Sequence, residues 1–415
     1  MTNQKKTTIK QKLRIVVVHA HYRIRGGEDS VFANECALLE ADGHTVIRYE
    51  KTNDDIREGG LIAKLRLLRN TIWNPETIRE ISALIDRERP DLVHCHNTFP
   101  TISPSVFWAC SKKGVPVVLT LHNFRTACLN GYLFRENTGA VCERCLGRAP
   151  IPGVCRKCYR GSFLASFVVA ARLLFHRLIG TYRKKVSAFI ALTESGKQIF
   201  IRAGVPKEKI HVKANLIPER TQTKLDELPA DDCSVQPPFI LYAGRLSPEK
   251  GPDIALDAWL RMNPIPNTSL VFAGDGPMRT ALQTRAAESP CGTSIRFLGH
   301  VPQDVLHALM AKASAVVVPS KLYENFPLTV IEANRLKTPV LLSDVVCIAP
   351  EILANHAGQT FPNKDTDALA QLFTQTLEAP HRTIPGTMFP ECNPDANLTR
   401  LLDIYGMVLP KPKQD

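Results

Sequence analysis

Short β-branched apolar runs alternate with amphipathic stretches along nearly the whole chain, and this alternation narrows the possible folds more than any other feature. In the first half the runs fall at 14–18, 45–49, 92–95, 116–121 and 188–192, with helical periodicity at 30–41 and 76–87. A run such as Ile15-Val16-Val17-Val18 is apolar at successive positions, so both faces of the strand must be covered. Strands covered on both faces and separated by helices build a parallel, doubly wound sheet. A second series follows at 239–243, 269–273, 294–298, 315–319 and 339–342, with a helix at 253–261. Between the series the chain turns polar, with Asp226, Glu227, Asp231, Asp232, Pro237 and Pro238, and reads as a linker. A length of 415 residues suits two such domains. The expected division is an α/β domain over 1–219 with a Cys-rich insertion at 125–160, a linker over 220–238, a second α/β domain over 239–392, and a helix and tail over 393–415.

Apolar residues make up 44% of the chain and charged residues 22%, a composition that supports large cores and excludes a disordered chain. No uncharged apolar run reaches the ~18 residues of a membrane span. The apolar stretch 13–19 is too short for a secretory signal, so a cytoplasmic protein with reduced cysteines is expected. The net charge is +12, and ten Lys or Arg residues with no Asp or Glu lie between Arg144 and Thr193. Such a block favours an anionic partner: a nucleotide, a phospholipid surface or a nucleic acid. Within it, a helix at 163–183 sets Arg172, His176 and Arg183 on one face and Phe163, Phe167, Leu174 and Leu178 on the other. The plain expectation packs its apolar face on the domain and leaves the basic face in water; the alternative lays the helix on an anionic membrane.

The insertion carries Cys142-x-x-Cys145 and Cys155-x-x-Cys158, with Cys128 nearby. Paired cysteines of this kind build tetrahedral zinc sites, and a structural zinc would steady a loop rich in Gly and Pro. Charge and cysteines together would also fit a zinc-containing nucleic-acid binder. The basic stretch lacks interleaved base-stacking residues, however, and no nucleic-acid partner is expected.

In the second half the strand ends carry the chemistry. The run 239–243 ends in Gly244-Arg245, followed by Lys250-Gly251 at a helix start; a helix N-terminus, a guanidinium and an ammonium together suit a diphosphate. Gly274-Asp275-Gly276 and the turn through Val301 end two further strands. In Tyr323-Glu324-Asn325-Phe326-Pro327-Leu328, continuing to Glu332, the amides near 325–328 point at a phosphate, and Glu332 lies about two turns down the helix, placed for ribose hydroxyls. His19, His21, His94 and His96 end strands and read as structural histidines.

These motifs, in this order and spacing, resemble the family 4 retaining glycosyltransferases (group 1), which have the GT-B fold of two Rossmann-like domains around a central cleft. Gly26-Gly27 matches that family's glycine loop, and His122 matches its active-site histidine. The resemblance implies a nucleotide-diphosphate sugar as donor, a glycan or lipid-linked acceptor, and no catalytic metal. It implies that Arg245 and Lys250 hold the diphosphate, Glu324 contacts the sugar, Glu332 the ribose, and Gly27 approaches the phosphates, with His122 beside the reacting centre. Asn325 and Pro327 stand where many members have glycine. A nucleotide-sugar epimerase or a phosphorylase on the same architecture is the rival reading.

Overall fold

The structure, a computed structural model, describes residues 11–22, 26–52, 61–216, 235–236, 238–379, 384, 389 and 392–410. Nearly all of the expected linker 220–238 lies outside the described residues. The strands of the first half are β1 (Arg14–His21), β2 (Thr45–Thr52), β3 (Leu92–Asn97), β4 (Val117–Thr120), β5 (Phe134–Arg135), β6 (Ala140–Val141), β7 (Ala188–Ala191) and β8 (Ile210–Val212). Those of the second half are β9 (Phe239–Ala243), β10 (Ser269–Ala273), β11 (Ile295–Gly299), β12 (Ala315–Val318), β13 (Val340–Ser343) and β14 (Gly358–Phe361).

Two compact units result. The first holds a parallel sheet ordered β2-β1-β3-β4-β7-β8, with β3 and β4 buried at every position. The second holds a parallel sheet ordered β11-β10-β9-β12-β13-β14. Strand order reverses between β1 and β3 in the first sheet and between β9 and β12 in the second. In open sheets of this kind, ligands bind beyond the carboxyl ends of the strands at such a reversal. Topology alone therefore points to the loops after β1 and β3, and after β9 and β12. Among the described residues no helix is long and apolar enough to cross a membrane.

Two segments group differently from the sequence division, which kept 125–160 in the first domain and set 393–415 apart from both. The hairpin β5–β6, at the centre of the Cys-rich insertion, belongs to the second unit, where Lys364 Nζ donates to Thr138 O over 3.2 Å. The helix Pro394–Val408 belongs to the first: Leu401, Ile404 and Tyr405 are buried with Phe32, Cys36 and Leu39.

The helix Phe163–Leu178 sits the opposite way round from the expected arrangement. Arg172 is only 3% exposed and His176 fully buried, whereas Phe163, Leu164, Phe167, Leu174 and Leu178 face solvent. Partners far away in sequence turn the polar residues inward. The Arg172 guanidinium lies 5.2 Å over the Phe99 ring; His176 contacts Ile72 O at 2.7 Å and Thr181 Oγ1 at 2.8 Å, and stacks on Trp73. Burial, outweighing the bond to Ile72, lowers the His176 pKa to about 4, so the ring is neutral at pH 7. A neutral ring with both nitrogens partnered is cheap to bury.

Candidate active site

In the first unit β1, β3 and β4 deliver histidines to one end of the sheet. The helix Gly27–Ala41 begins just beyond β1, and Asp29 in its first turn receives both histidines of that strand: His19 Nε2 at 3.0 Å and His21 Nδ1 at 2.9 Å meet Oδ1. The Gly26 amide donates to Oδ2 at 2.8 Å. Burial pushes the Asp29 carboxyl upward, but the bonds from His19, Gly26 and His21 outweigh it and hold the acid below its ordinary range. Gly26 itself has extended backbone, and a Cβ added there would meet nothing within 4 Å. Neither conformation nor packing requires glycine at this position.

Behind this cluster runs a buried chain of contacts that sequence reading missed. His122, just past β4, brings Nε2 to within 3.0 Å of His96 Nδ1, and the rings stack. His96 Nε2 stands 3.3 Å from Glu35 Oε1, and Lys213 donates to Glu35 Oε2 at 2.8 Å. His94 lies 3.1 Å from the same carboxylate and also meets Tyr405 OH and Thr120 Oγ1, each at 2.8 Å. Burial raises the Glu35 carboxyl, yet the Lys213 charge and the His94 contact overcome it and hold the acid well below normal. Desolvation lowers His96 to about 4 and His122 well below its usual value, so both rings are neutral at pH 7. An ionised Glu35 selects the His96 tautomer protonated at Nε2, which leaves Nδ1 to accept from His122 Nε2–H. His122 Nδ1 is then the basic atom of the ring. Of the strand-end histidines read as structural, His96 directly orients His122.

Glu28 was also missed. It follows Gly26-Gly27, accepts from Asn123 Nδ2 at 3.2 Å, and so ties the glycine turn to the loop bearing His122. Burial pushes its carboxyl up to about 7, against the opposing pull of Arg125 and Asn123. A carboxyl that titrates near neutrality beside a strand-end loop is a recognised mark of functional sites. The only sequence signal was its adjacency to the glycine pair.

In the second unit the loop after β9 interlocks with the loop after β10. Gly274 has φ +145°, and a Cβ there would lie 2.0 Å from Gly244 O; at Gly276 it would lie 2.5 Å from Leu246 O. The Gly244 and Leu246 amides donate to Ala273 O and Asp275 O at 3.0 and 2.9 Å. The two glycines thus serve close backbone packing. Asp275 is turned toward its own helix, accepting from the Gly276 amide and from Arg279, each at 2.7 Å.

The interlock fixes the path that presents Arg245 and Lys250. Tyr242 OH donates to Arg245 O at 2.8 Å, while the Arg245 side chain is exposed and has no ion pair among the described residues. Lys250 forms an ion pair with Glu324 across the reversal between β9 and β12, and Ser320 Oγ donates to the other Glu324 oxygen. Eight residues on, in the helix Leu328–Arg335, Glu332 looks elsewhere. Its carboxyl is raised by burial, moderated by Arg335 and by a hydrogen bond from Gln303, two residues beyond Val301. The two glutamates therefore have separate sets of partners. Asn325, Phe326 and Pro327 are buried, and Pro327 caps the helix that Leu328 begins. Proline lacks an amide hydrogen, so positions 325–328 carry three backbone N–H groups rather than four.

A structural zinc at Cys142, Cys145, Cys155 and Cys158 is not shown among the described residues. Cys145 is buried, Cys155 exposed, and Cys142 and Cys158 intermediate. Among the described residues, the groups whose ligand atoms converge are His19, His21 and Asp29, and Glu35, His94 and His96; neither includes a thiol. Four thiolates in one tetrahedron would need such convergence.

The family model "Glycosyltransferase Family 4" matches residues 24–219, and the model "Glycosyl transferases group 1" matches residues 230–384. The chain belongs to the group 1 glycosyltransferases of family 4. Among curated proteins it is 32% identical to a glycogen synthase of Mycobacterium tuberculosis, over 35% of each chain. To the alpha-D-kanosaminyltransferase of Streptomyces kanamyceticus it is 24% identical, over 48% of this chain and 53% of that one. The chain thus spans about a third to a half of the length of these relatives. Among solved structures, Anabaena HepE in complex with UDP aligns with a TM-score of 0.62 at 15% identity, covering 95% of this chain and 97% of that one. The lipopolysaccharide outer core galactosyltransferase WaaB aligns with a TM-score of 0.63 at 16% identity, covering 95% and 99%. At these identities the likeness shows the fold, the two-domain α/β architecture of GT-B proteins.

Proposed function

We propose that this glycosyltransferase is a retaining enzyme that takes a sugar from a nucleotide-diphosphate donor on the second unit and passes it to a hydroxyl of a glycan or lipid-linked acceptor. The observation that carries the reading is the two cations of the loop after β9: Lys250, held by Glu324, and the exposed Arg245, which has no ion pair among the described residues. A fixed ammonium and an available guanidinium at this place suit a diphosphate whose charge grows as the glycosidic bond breaks. Arg245 and Lys250 stabilise the departing diphosphate, which helps to take the proton of the incoming hydroxyl on the same face of the sugar. Glu324 positions Lys250 and reaches the transferred sugar, and Glu332 accepts from ribose hydroxyls. UDP in the HepE complexes supports a nucleoside diphosphate as the leaving group.

On the first unit, the open space over Gly26 leaves room for the glycine turn to approach phosphate groups. We assign His122, whose ring is neutral and oriented through His96 and Glu35, to the acceptor side of the reaction. We place the acceptor at an anionic membrane surface.

A UDP-GlcNAc 2-epimerase of Methanocaldococcus jannaschii shares the fold at a TM-score of 0.50, so architecture alone does not separate transfer from isomerisation. The test is NMR of the sugar products after incubation with a panel of nucleotide sugars. Release of nucleoside diphosphate with sugar in a new glycoside, or in water with retained anomeric configuration, is expected. An isomerised donor with no diphosphate released would overturn the reading.

A further inference from the structure

We infer that the helix Phe163–Leu178 is a membrane-docking element that inserts its apolar face into an anionic leaflet while the surrounding basic residues hold the headgroups. The inference deepens the membrane part of the proposed function and does not depend on the transfer chemistry.

Single exposed apolar residues are ordinary, whereas contiguous ones on a soluble surface mark an interaction site. Ten large apolar side chains are exposed among the described residues, and seven of them lie on the two helices Ile151–Cys155 and Phe163–Leu178. On the longer helix they are Phe163, Leu164, Phe167, Leu174, Phe175 and Leu178, from 38% exposed at Phe175 to 77% at Leu178. At about 100° per residue these six, with Ala171, fill one unbroken arc of about 120° that contains no polar residue. The complementary arc packs inside the unit: the Arg172 guanidinium lies over Phe99, His176 bonds Ile72 and Thr181, and Val169 and Leu173 pack with Leu129. Turning the apolar face inward would break both His176 bonds and expose Val169 and Leu173. Its present orientation is the stable one.

Charge selects the occupant. Arg144, Arg148, Lys157, Arg160, Arg183 and Lys184, on segments flanking the helix, are exposed, and none forms an ion pair among the described residues. No Asp or Glu occurs from 144 to 193. An apolar stripe rimmed by unpaired cations matches an acyl layer beneath anionic headgroups. A second copy of this chain would set one basic rim against another, and like charges across an interface oppose association.

The test is flotation of the full-length chain with phosphatidylserine–phosphatidylcholine vesicles and with phosphatidylcholine vesicles alone. The wild type should bind the anionic vesicles strongly and the neutral ones weakly, with binding that falls as salt rises. Phe163→Ser combined with Phe167→Ser should weaken partitioning at least about tenfold, since both side chains would otherwise leave water. Lys157→Glu with Arg160→Glu, which leaves every apolar contact intact, should weaken it by about fivefold or more per charge. Equal binding to both vesicle types, or full binding by either variant, would overturn the inference. So would a wild-type dimer in sedimentation equilibrium that the Phe variant converts to a monomer without any vesicle binding. Thermal shift with UDP, run on the same samples, separates the two readings: vesicle binding lost with the UDP shift kept refutes docking alone, and the reverse refutes the donor site alone.

Discussion

Glu28→Gln should stabilise the folded protein at alkaline pH and leave it unchanged in acid. The folded-state carboxyl titrates at about 7, against an ordinary value of 4.5, because burial outweighs the attraction of Arg125 and the bond from Asn123. Below pH 4.5 the acid is protonated in both folded and unfolded chains, and its full contribution to stability is present. Between 4.5 and about 7 the unfolded chain ionises while the folded one does not, so stability falls with rising pH; above 7 the loss is complete. The gap is worth at most about 3.4 kcal/mol at 1.36 kcal/mol per pH unit, and the partial exposure of Glu28 lets water screen some of it, leaving about 1–2 kcal/mol. Gln keeps the shape and an acceptor for Asn123 but carries no charge. Denaturant unfolding of both proteins from pH 4.5 to 9, with the difference taken at each pH to cancel every other titration, checks this. A difference that grows from near zero and levels off above pH 7 is expected. A constant difference, or one that shrinks with pH, would refute the assignment of a buried, near-neutral acid at this turn.

Glu332→Gln should raise the Kd for the nucleotide more than it lowers kcat, because ribose contacts serve ground and transition states alike, whereas His122→Ala should do the reverse; steady-state kinetics with direct nucleotide binding checks both. Glu35→Gln, which also leaves the buried Lys213 without its carboxylate and so lowers stability, should reproduce part of the His122→Ala loss in kcat without a matching change in nucleotide Kd, since Glu35 reaches His122 through His96. Gly274→Ala should cost about 2–4 kcal/mol or abolish soluble expression, because the new Cβ falls 2.0 Å from Gly244 O and the backbone holds φ +145°; thermal unfolding reads the loss.

The sheets were legible because parallel strands buried on both faces are continuous apolar runs. Strands expected at 239–243 and 269–273 are β9 and β10 to the residue. Glu324 and Lys250 were legible as members of one motif set, and the structure adds that they bind each other. Lost to sequence were features fixed by distant partners. The orientation of the helix Phe163–Leu178 follows from Phe99, Ile72 and Trp73, none within reach of helical periodicity. His96 reads as one more buried histidine until the pairing of His94 with Val118 and Cys95 with Leu119 carries the ends of β3 and β4 side by side, and His122 against it. The cysteine spacing invited a zinc tetrahedron, but spacing carries no information on whether the thiols converge.

The central claim is that Arg245 and Lys250 stabilise a departing nucleoside diphosphate. Its most direct test is the rate of UDP release from a panel of UDP-sugars, with and without acceptor hydroxyls, for wild type, Arg245→Ala and Lys250→Ala. The account predicts measurable release by the wild type on at least one sugar and a fall on the order of 10²-fold for each variant, as when one preorganised donor to a developing oxyanion is removed. Near-normal release by both variants, with their folding intact, would contradict it.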